Sequence, residues 1–264
     1  MFILENNCVG IIYNFVMESV PEIIFIVPYR DRELQMEFFR NHMTDVVLKD
    51  YSKESYRIMF IHQNDNRTFN RGAIKNIGFL TVKDLYPNAY HDITLVFNDV
   101  DTVPFQKNSF KYKTTPGVIK HFYGFTFALG GIVSILASDF EILNGFPNFW
   151  SWGYEDNDLQ RRATIHNLEI DRSEFYKILD KRIIHIQDGY YRHVNSGEKQ
   201  KYDWKTNEGI NEISKLEYTI DEDIVHVTNF QTNNKEDLTN TGVYDLRKSI
   251  RPQRRPSVRM NLGI

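Results

Sequence analysis

Short apolar runs that end abruptly in polar clusters set the pattern of the N-terminal half of this chain. Glu22–Val27 (EIIFIV) is β-branched and closes on Pro28, which predicts a central parallel strand leading into a loop. Asp31–Asp50 changes period: Leu34, Phe38, Phe39, Met43, Val46 and Val47 are spaced for one buried helix face. Arg57–His62 (RIMFIH) predicts a second strand, followed by the polar loop Gln63–Arg71. Gly72–Tyr86 returns to helical spacing through Ile74, Ile77, Gly78, Leu80 and Leu85, and Ile93–Phe97 (ITLVF) predicts a third strand running straight into Asn98-Asp99-Val100-Asp101. Strand and helix alternating in this way predict an α/β fold with a doubly wound sheet, in which ligands bind beyond the carboxyl ends of the strands. Three polar clusters fall at those ends: PYRDR, QNDNRTFNR and NDVD.

Beyond Asp101 the order loosens. Leu129–Ser134 predicts a strand with a tight Gly pair, Ser138–Asn144 a short helix stopped by Gly145 and Pro147, Glu155–Asn167 a helix and Lys181–Ile186 a strand. A Tyr-, Lys- and Asn-rich loop is expected to run to about Asn207, and the basic Asp245–Arg259 stretch to be a solvated tail. With 264 residues the chain suits one large domain, here 1–264. Within it three parts are expected: about 20–130, about 131–220 and, as a C-terminal extension, about 221–264.

Composition narrows the function. A net charge of −3 gives no global field for nucleic acid or an acidic membrane. The single cysteine, Cys8, excludes an intrachain disulfide and suits a reducing compartment. Cys8–Met17, the most apolar early stretch, is too short to span a bilayer and lacks the features of a signal peptide. It reads as a buried strand or docking segment, and the expected location is cytoplasmic, with no membrane span.

The candidate chemistry lies in the polar clusters. In FNDVDTVP, Asp99 and Asp101 alternate along an extended segment and face one side, a carboxylate pair suited to Mn²⁺ or Mg²⁺ with phosphate oxygens; a polar turn is the plainer reading. Arg30 and Arg32 carry paired donors for a diphosphate or uracil carbonyls, or form a surface Arg–Asp pair. Phe69 offers a ring to stack on a base and Arg71 a guanidinium, with Asn70 as N-cap of the next helix. In NGFPNFWSWGYEDND two tryptophans flank Ser151, and Glu155, Asp156, Asn157 and Asp158 open a helix. Helix capping accounts for one acid there but not for three acids in four residues beside a Trp-rich loop, and an acceptor-sugar site is favoured. His62, His166 and His193 read as structural or solvent-exposed.

Taken in order, VPYRDR, RTFNRGAIKNIGF, FNDVDTVP, GGIVS with FEILNGFPNFWSWGYEDND, and IIHIQD resemble the β-1,4-galactosyltransferase family, over about residues 23–220. The resemblance implies a GT-A fold, a Rossmann-like mixed sheet flanked by helices, and an inverting, metal-dependent transfer from a UDP-sugar to a glycan hydroxyl. It implies that Pro28, Arg30, Arg32, Phe69, Arg71, Asp99, Val100, Asp101 and Trp152 hold the nucleotide sugar. Asp101 and His185 would ligate Mn²⁺ or Mg²⁺. Trp152, Glu155, Asp156 and Asn157 would contact the acceptor, with Asp156 as catalytic base. Three departures stand out. Arg182 falls where the family has a methionine ligand, Asn157 replaces an acid, and Ala128–Leu129 replaces a large aromatic beside the donor sugar, which admits UDP-GalNAc or UDP-GlcNAc besides UDP-Gal. The missing anchor and disulfides fit a cytosolic or viral-type enzyme. The alternative is a sugar- or nucleotide-binding module that has lost catalysis.

Overall fold

The computed structural model describes residues 2–4, 8–13, 19–150, 152–186, 189, 191–203, 205–239 and 241–245, with side chains from residue 19 onward. Strands β1 (Phe2–Leu4) and β2 (Cys8–Tyr13) precede β3 (Ile23–Tyr29), α1 (Glu33–His42), β4 (Tyr56–Gln63), α2 (Arg71–Leu85) and β5 (Thr94–Asn98). Next come β6 (Thr102–Pro104), β7 (Val118–Gly124), β8 (Ile132–Leu136), α3 (Ala137–Ile142), α4 (Glu155–Ile165), β9 (Glu169–Asp171), β10 (Tyr176–Lys177) and β11 (Ile183–His185). The described chain continues with β12 (Tyr191–Asn195), α5 (Ser196–Asp203), β13 (Ser214–Asp221), β14 (Ile224–Gln231) and β15 (Thr241–Asp245).

The central sheet runs in the order β1-β2-β13-β14-β4-β3-β5-β8-β7-β10, with β9 beside β7. Strands β3, β4, β5 and β14 are parallel, while β8 runs antiparallel to β5, so the sheet is mixed. Every residue of β3 is buried, as its unbroken apolar run requires of a strand covered on both faces. Ile24 and Ile26 pack with Ala73, Ile74 and Ile77 of α2; Phe25 and Val27 face the other way, toward Phe39, Met43 and Val47. The parallel strands all end on one edge, which carries the three polar clusters.

Several elements differ from expectation. Leu34 and Phe38 are 78% and 39% exposed, because α1 buries only the narrow stripe of Phe39, Met43 and Val47. The helix also widens into a π-turn at Met43–Val47, with the Leu48 N–H donating to the Met43 carbonyl at 2.8 Å. The predicted strand at Leu129–Ser134 starts instead at Ile132, since Gly131 takes φ 77° and makes the turn before it. The loop expected to reach Asn207 holds β12 and α5; β12 pairs with the distant β15, a long-range match that local pattern does not reveal. The boundary expected at about 221 falls in the turn of the β13–β14 hairpin, both strands of which lie in the main sheet. Of Cys8–Met17, the backbone of Cys8–Tyr13 forms a strand parallel to β13, and 14–17 lie outside the described residues, as does the basic stretch beyond Asp245. Among the described residues, no helix is long and apolar enough to cross a membrane.

Candidate active site

A cleft of about 210 Å³ opens on the carboxyl edge of the parallel strands. Pro28, Arg30, Arg32, Phe69, Arg71, Asp99, Val100, Asp101 and Trp152 all line it, so every residue expected to hold a nucleotide sugar meets in one place. Arg30 is braced from below: its Nη2 donates to the Asp65 carbonyl at 2.8 Å and its Nη1 to the Arg67 carbonyl. Asn70 caps α2, accepting from the Ala73 N–H at 2.9 Å, and so delivers Phe69 and Arg71 to the cleft wall.

Arg71 connects the cleft to the helix carrying the acid cluster. Its Nη2 donates to Asp99 Oδ1 at 2.5 Å, and its Nε lies 3.1 Å from Glu155 Oε1. Burial opposes the Arg71 charge, but Asp99, Glu155, Asp156 and Asp101 outweigh it and hold the guanidinium above its ordinary range. Glu155, expected to touch the acceptor, is only 3% exposed and sits behind the site against Arg71. Burial first, and the neighbouring Asp156 second, push the Glu155 carboxyl up.

Asp156 and Asn157 follow Glu155 in the first turn of α4. Tyr154 precedes them with φ 72°, a strained conformation for a tyrosine that sets the entry angle of the helix. Asp156 Oδ1 accepts from Lys75 Nζ at 2.7 Å. On its other side lies Gly130, where an added Cβ would stand 2.2 Å from Asp156 Oδ2, so the carboxylate rests on bare backbone. The loop before α4 is clamped to α2 by buried amides: Asn76 donates to the Phe146 carbonyl at 2.7 Å and Asn70 to the Asn148 carbonyl at 3.1 Å. Gly72 permits this approach, since a Cβ there would lie 1.9 Å from the Pro147 carbonyl oxygen.

His185 reaches the same edge through the β6–β11 pairing, opposite Thr102, and the next N–H, of Ile186, donates to the Asp101 carbonyl at 2.9 Å. The His185 Nε2 lies against the Tyr123 hydroxyl, which burial pushes up to about 12 and so keeps protonated. The backbone pairing brings the positions of Asp101 and His185 together, and a carboxylate and an imidazole are ligand types that suit Mn²⁺; a hard cation of this kind commonly takes one or two protein ligands plus substrate phosphates. Among the described residues no group of three or more His, Cys, Asp or Glu is arranged to hold a metal alone. Arg182 supplies nothing toward one: it is paired with Asp180 at 2.7 Å and lies over the Tyr176 ring.

Sequence reading missed four cleft residues, Thr68, Tyr191, Arg192 and His193. The last three arrive on β12, and the Trp152 N–H donates to the His193 carbonyl at 3.1 Å. The Trp152 ring, 38% exposed, stacks 6.4 Å from that of Tyr244 on the partner strand β15. Alternating rings and bases in Tyr191–His193 were the available signal, hidden by the lack of any apolar period. Ala128 and Leu129 are both buried, Leu129 in the core cluster.

His121 supports the Gly130 turn from beneath. Its Nε2 lies 3.1 Å from the Gly130 carbonyl, and its Nδ1 accepts from Arg172 Nε at 3.1 Å. Burial, and then Arg172, push this imidazole down to about 4. A buried neutral histidine contributes stability that is complete above the unfolded value near 6.5 and is lost as pH falls toward 4, about 3 kcal/mol at about 1.4 kcal/mol per unit. Urea unfolding at pH 7 and pH 4.5 should show this loss, and His121→Gln should flatten it; an equal slope in the variant would reject His121 as its source.

Similarity to known proteins follows the same residues. A family profile described as the N-terminal region of glycosyl transferase group 7 matches residues 17–113, and one described as the N-terminal domain of galactosyltransferase matches residues 119–187. The chain is 29% identical to β-1,4-galactosyltransferase 4 of Cricetulus griseus over 59% of its own length and 46% of that protein. It spans about half the length of the curated relatives it matches. Among solved structures it resembles the catalytic domain of Drosophila β1,4-galactosyltransferase 7 in complex with xylobiose, with TM-score 0.61 and 21% identity, covering 82% of this chain and 96% of that one. A mutant of the same Drosophila protein, in complex with manganese, UDP-Gal and xylobiose, gives TM-score 0.59 and 20% identity over the same shares. The fold is therefore that of GT-A glycosyltransferase domains.

Proposed function

Because this chain belongs to glycosyl transferase group 7, the family of the β-1,4-galactosyltransferases, we propose that it transfers a hexose or N-acetylhexosamine from a UDP-sugar to a sugar hydroxyl, with inversion. The observation that carries this reading is the single cleft lined by all nine expected donor residues, joined through Arg71 to the acid-bearing start of α4.

The donor's diphosphate would enter between Arg30, Arg32 and Arg71, with Phe69 offering a face to the base. Asp101 and His185 would hold Mn²⁺, the metal found with UDP-Gal in the Drosophila relative. When bound, the cation supplies Lewis-acid neutralisation of the leaving diphosphate. Trp152 and the β12 residues line the cleft and would exclude water that otherwise hydrolyses the donor. Asp156 takes the acceptor proton as the hydroxyl oxygen bonds the anomeric carbon. The bond from that carbon to the diphosphate oxygen breaks, and its electron pair leaves with UDP. Asn157 and Trp152 would contact the acceptor, and Glu155 would act from behind through Arg71.

The test is UDP release from UDP-Gal, UDP-GalNAc and UDP-GlcNAc with Mn²⁺ and a panel of acceptor sugars, xylobiose among them. Acceptor-dependent release from one donor is the expected result. Tight UDP binding with no release from any donor would overturn transfer and leave a nucleotide-binding module.

A further inference from the structure

Lys75 lies in the second turn of α2 with only 2% of its side chain exposed. A lysine is almost never this buried unless paired. Its ammonium donates to Asp156 Oδ1 at 2.7 Å and sits 4.3 Å from the centre of the Phe146 ring. On the far side of the carboxylate, Gly130 leaves room for Asp156 Oδ2 and for nothing larger. The carboxylate is thus held from two directions before any acceptor arrives.

We propose that Lys75 is the positioning residue of the catalytic base: it fixes the Asp156 carboxylate and keeps the negative charge on Asp156 rather than on its neighbour Glu155. The inference rests on Asp156 being the base. Two adjacent acids in a confined site compete for one proton, and a useful base must be the one left ionised. Among the described residues, Lys75 and Arg71 from α2 and Glu155 from α4 carry charge toward Asp156. His121, from β7, is neutral near physiological pH because burial has lowered its proton affinity. Arg71 is shared between Asp99 and Glu155, so Lys75 is the cation bonded to Asp156. Burial drives the Glu155 carboxyl toward its protonated form. In the transfer itself Lys75 keeps its three protons; the acceptor proton ends on Asp156, and the ammonium then faces a neutral acid.

The experiment follows the Asp156 carboxyl by ¹³C NMR in aspartate-labelled protein, assigned with Asp156→Asn, alongside the pH profile of transfer. In Lys75→Met the Asp156 titration and the acid limb of kcat/KM should both move about one unit toward higher pH, the lower end for an opposite charge at this range. That is a loss of about tenfold on the acid side, recovered at higher pH. UDP affinity, read by calorimetry, should change less than about threefold. Lys75→Gln, which keeps a donor but no charge, gives the same shift if the methionine variant fails to fold. An unmoved titration in the variant overturns the proposal while leaving the base assignment intact. Undiminished transfer in Asp156→Asn instead overturns the base assignment and this inference with it.

Discussion

Asp156→Asn is expected to lower sugar transfer by about 10²–10⁴-fold while UDP still binds, the range by which a positioned general base accelerates a reaction. The substitution is nearly isosteric, so the packing against Gly130 survives, while the capacity to accept a proton and the charge that pairs with Lys75 are removed together. Steady-state rates with UDP affinity measured in parallel separate the two effects. The loss should fall on kcat, because the interaction exists only as the hydroxyl gives up its proton. A variant within threefold of the parent rate would remove Asp156 from the chemistry.

Arg162→Met is expected to cost about 3–5 kcal/mol of folding stability, the range for breaking a buried charge pair from one side. Arg162, 5% exposed, bonds Asp158, which is fully buried, at 2.7 Å. Its Nη1 also donates to the Asn144 and Gly145 carbonyls at 3.0 Å each, and its Nη2 to the Glu208 carbonyl at 2.5 Å. One side chain therefore ties α4 to the turn before the Trp-rich loop and to the segment before β13. Domains typically have 5–15 kcal/mol in all, so the loss should appear as a large drop in the urea midpoint. A change below 1 kcal/mol would mean that Arg161, also bonded to Asp158 at 2.6 Å, carries that charge alone.

The cleft was legible because its residues follow strands whose apolar runs are read locally. Pro28 closes β3, and Arg30, Asp99 and Asp101 follow the ends of β3 and β5, so placing the strands placed the residues. The acid cluster of α4 was legible as a motif but not as a geometry. Nothing in the order Glu155-Asp156 says that the first acid turns inward to Arg71 and the second meets Lys75; helix phase and the packing of α2 decide it. Lys75 itself was hidden because α2 is buried nearly all round, and an amphipathic pattern predicts only one covered face. The β12–β15 ribbon was missed for a different reason. Its strands are separated by more than forty residues, and pairing at that range leaves no local period.

The account depends on Asp101 and His185 acting together with a divalent cation on the donor's diphosphate. Calorimetric titration of UDP into the metal-stripped protein, with and without Mn²⁺, tests this most directly, with His185→Ala as the comparison. UDP should bind at least tenfold more tightly with Mn²⁺, and the gain should largely vanish in His185→Ala. Equal affinity with and without the cation in the unmutated protein would contradict the account.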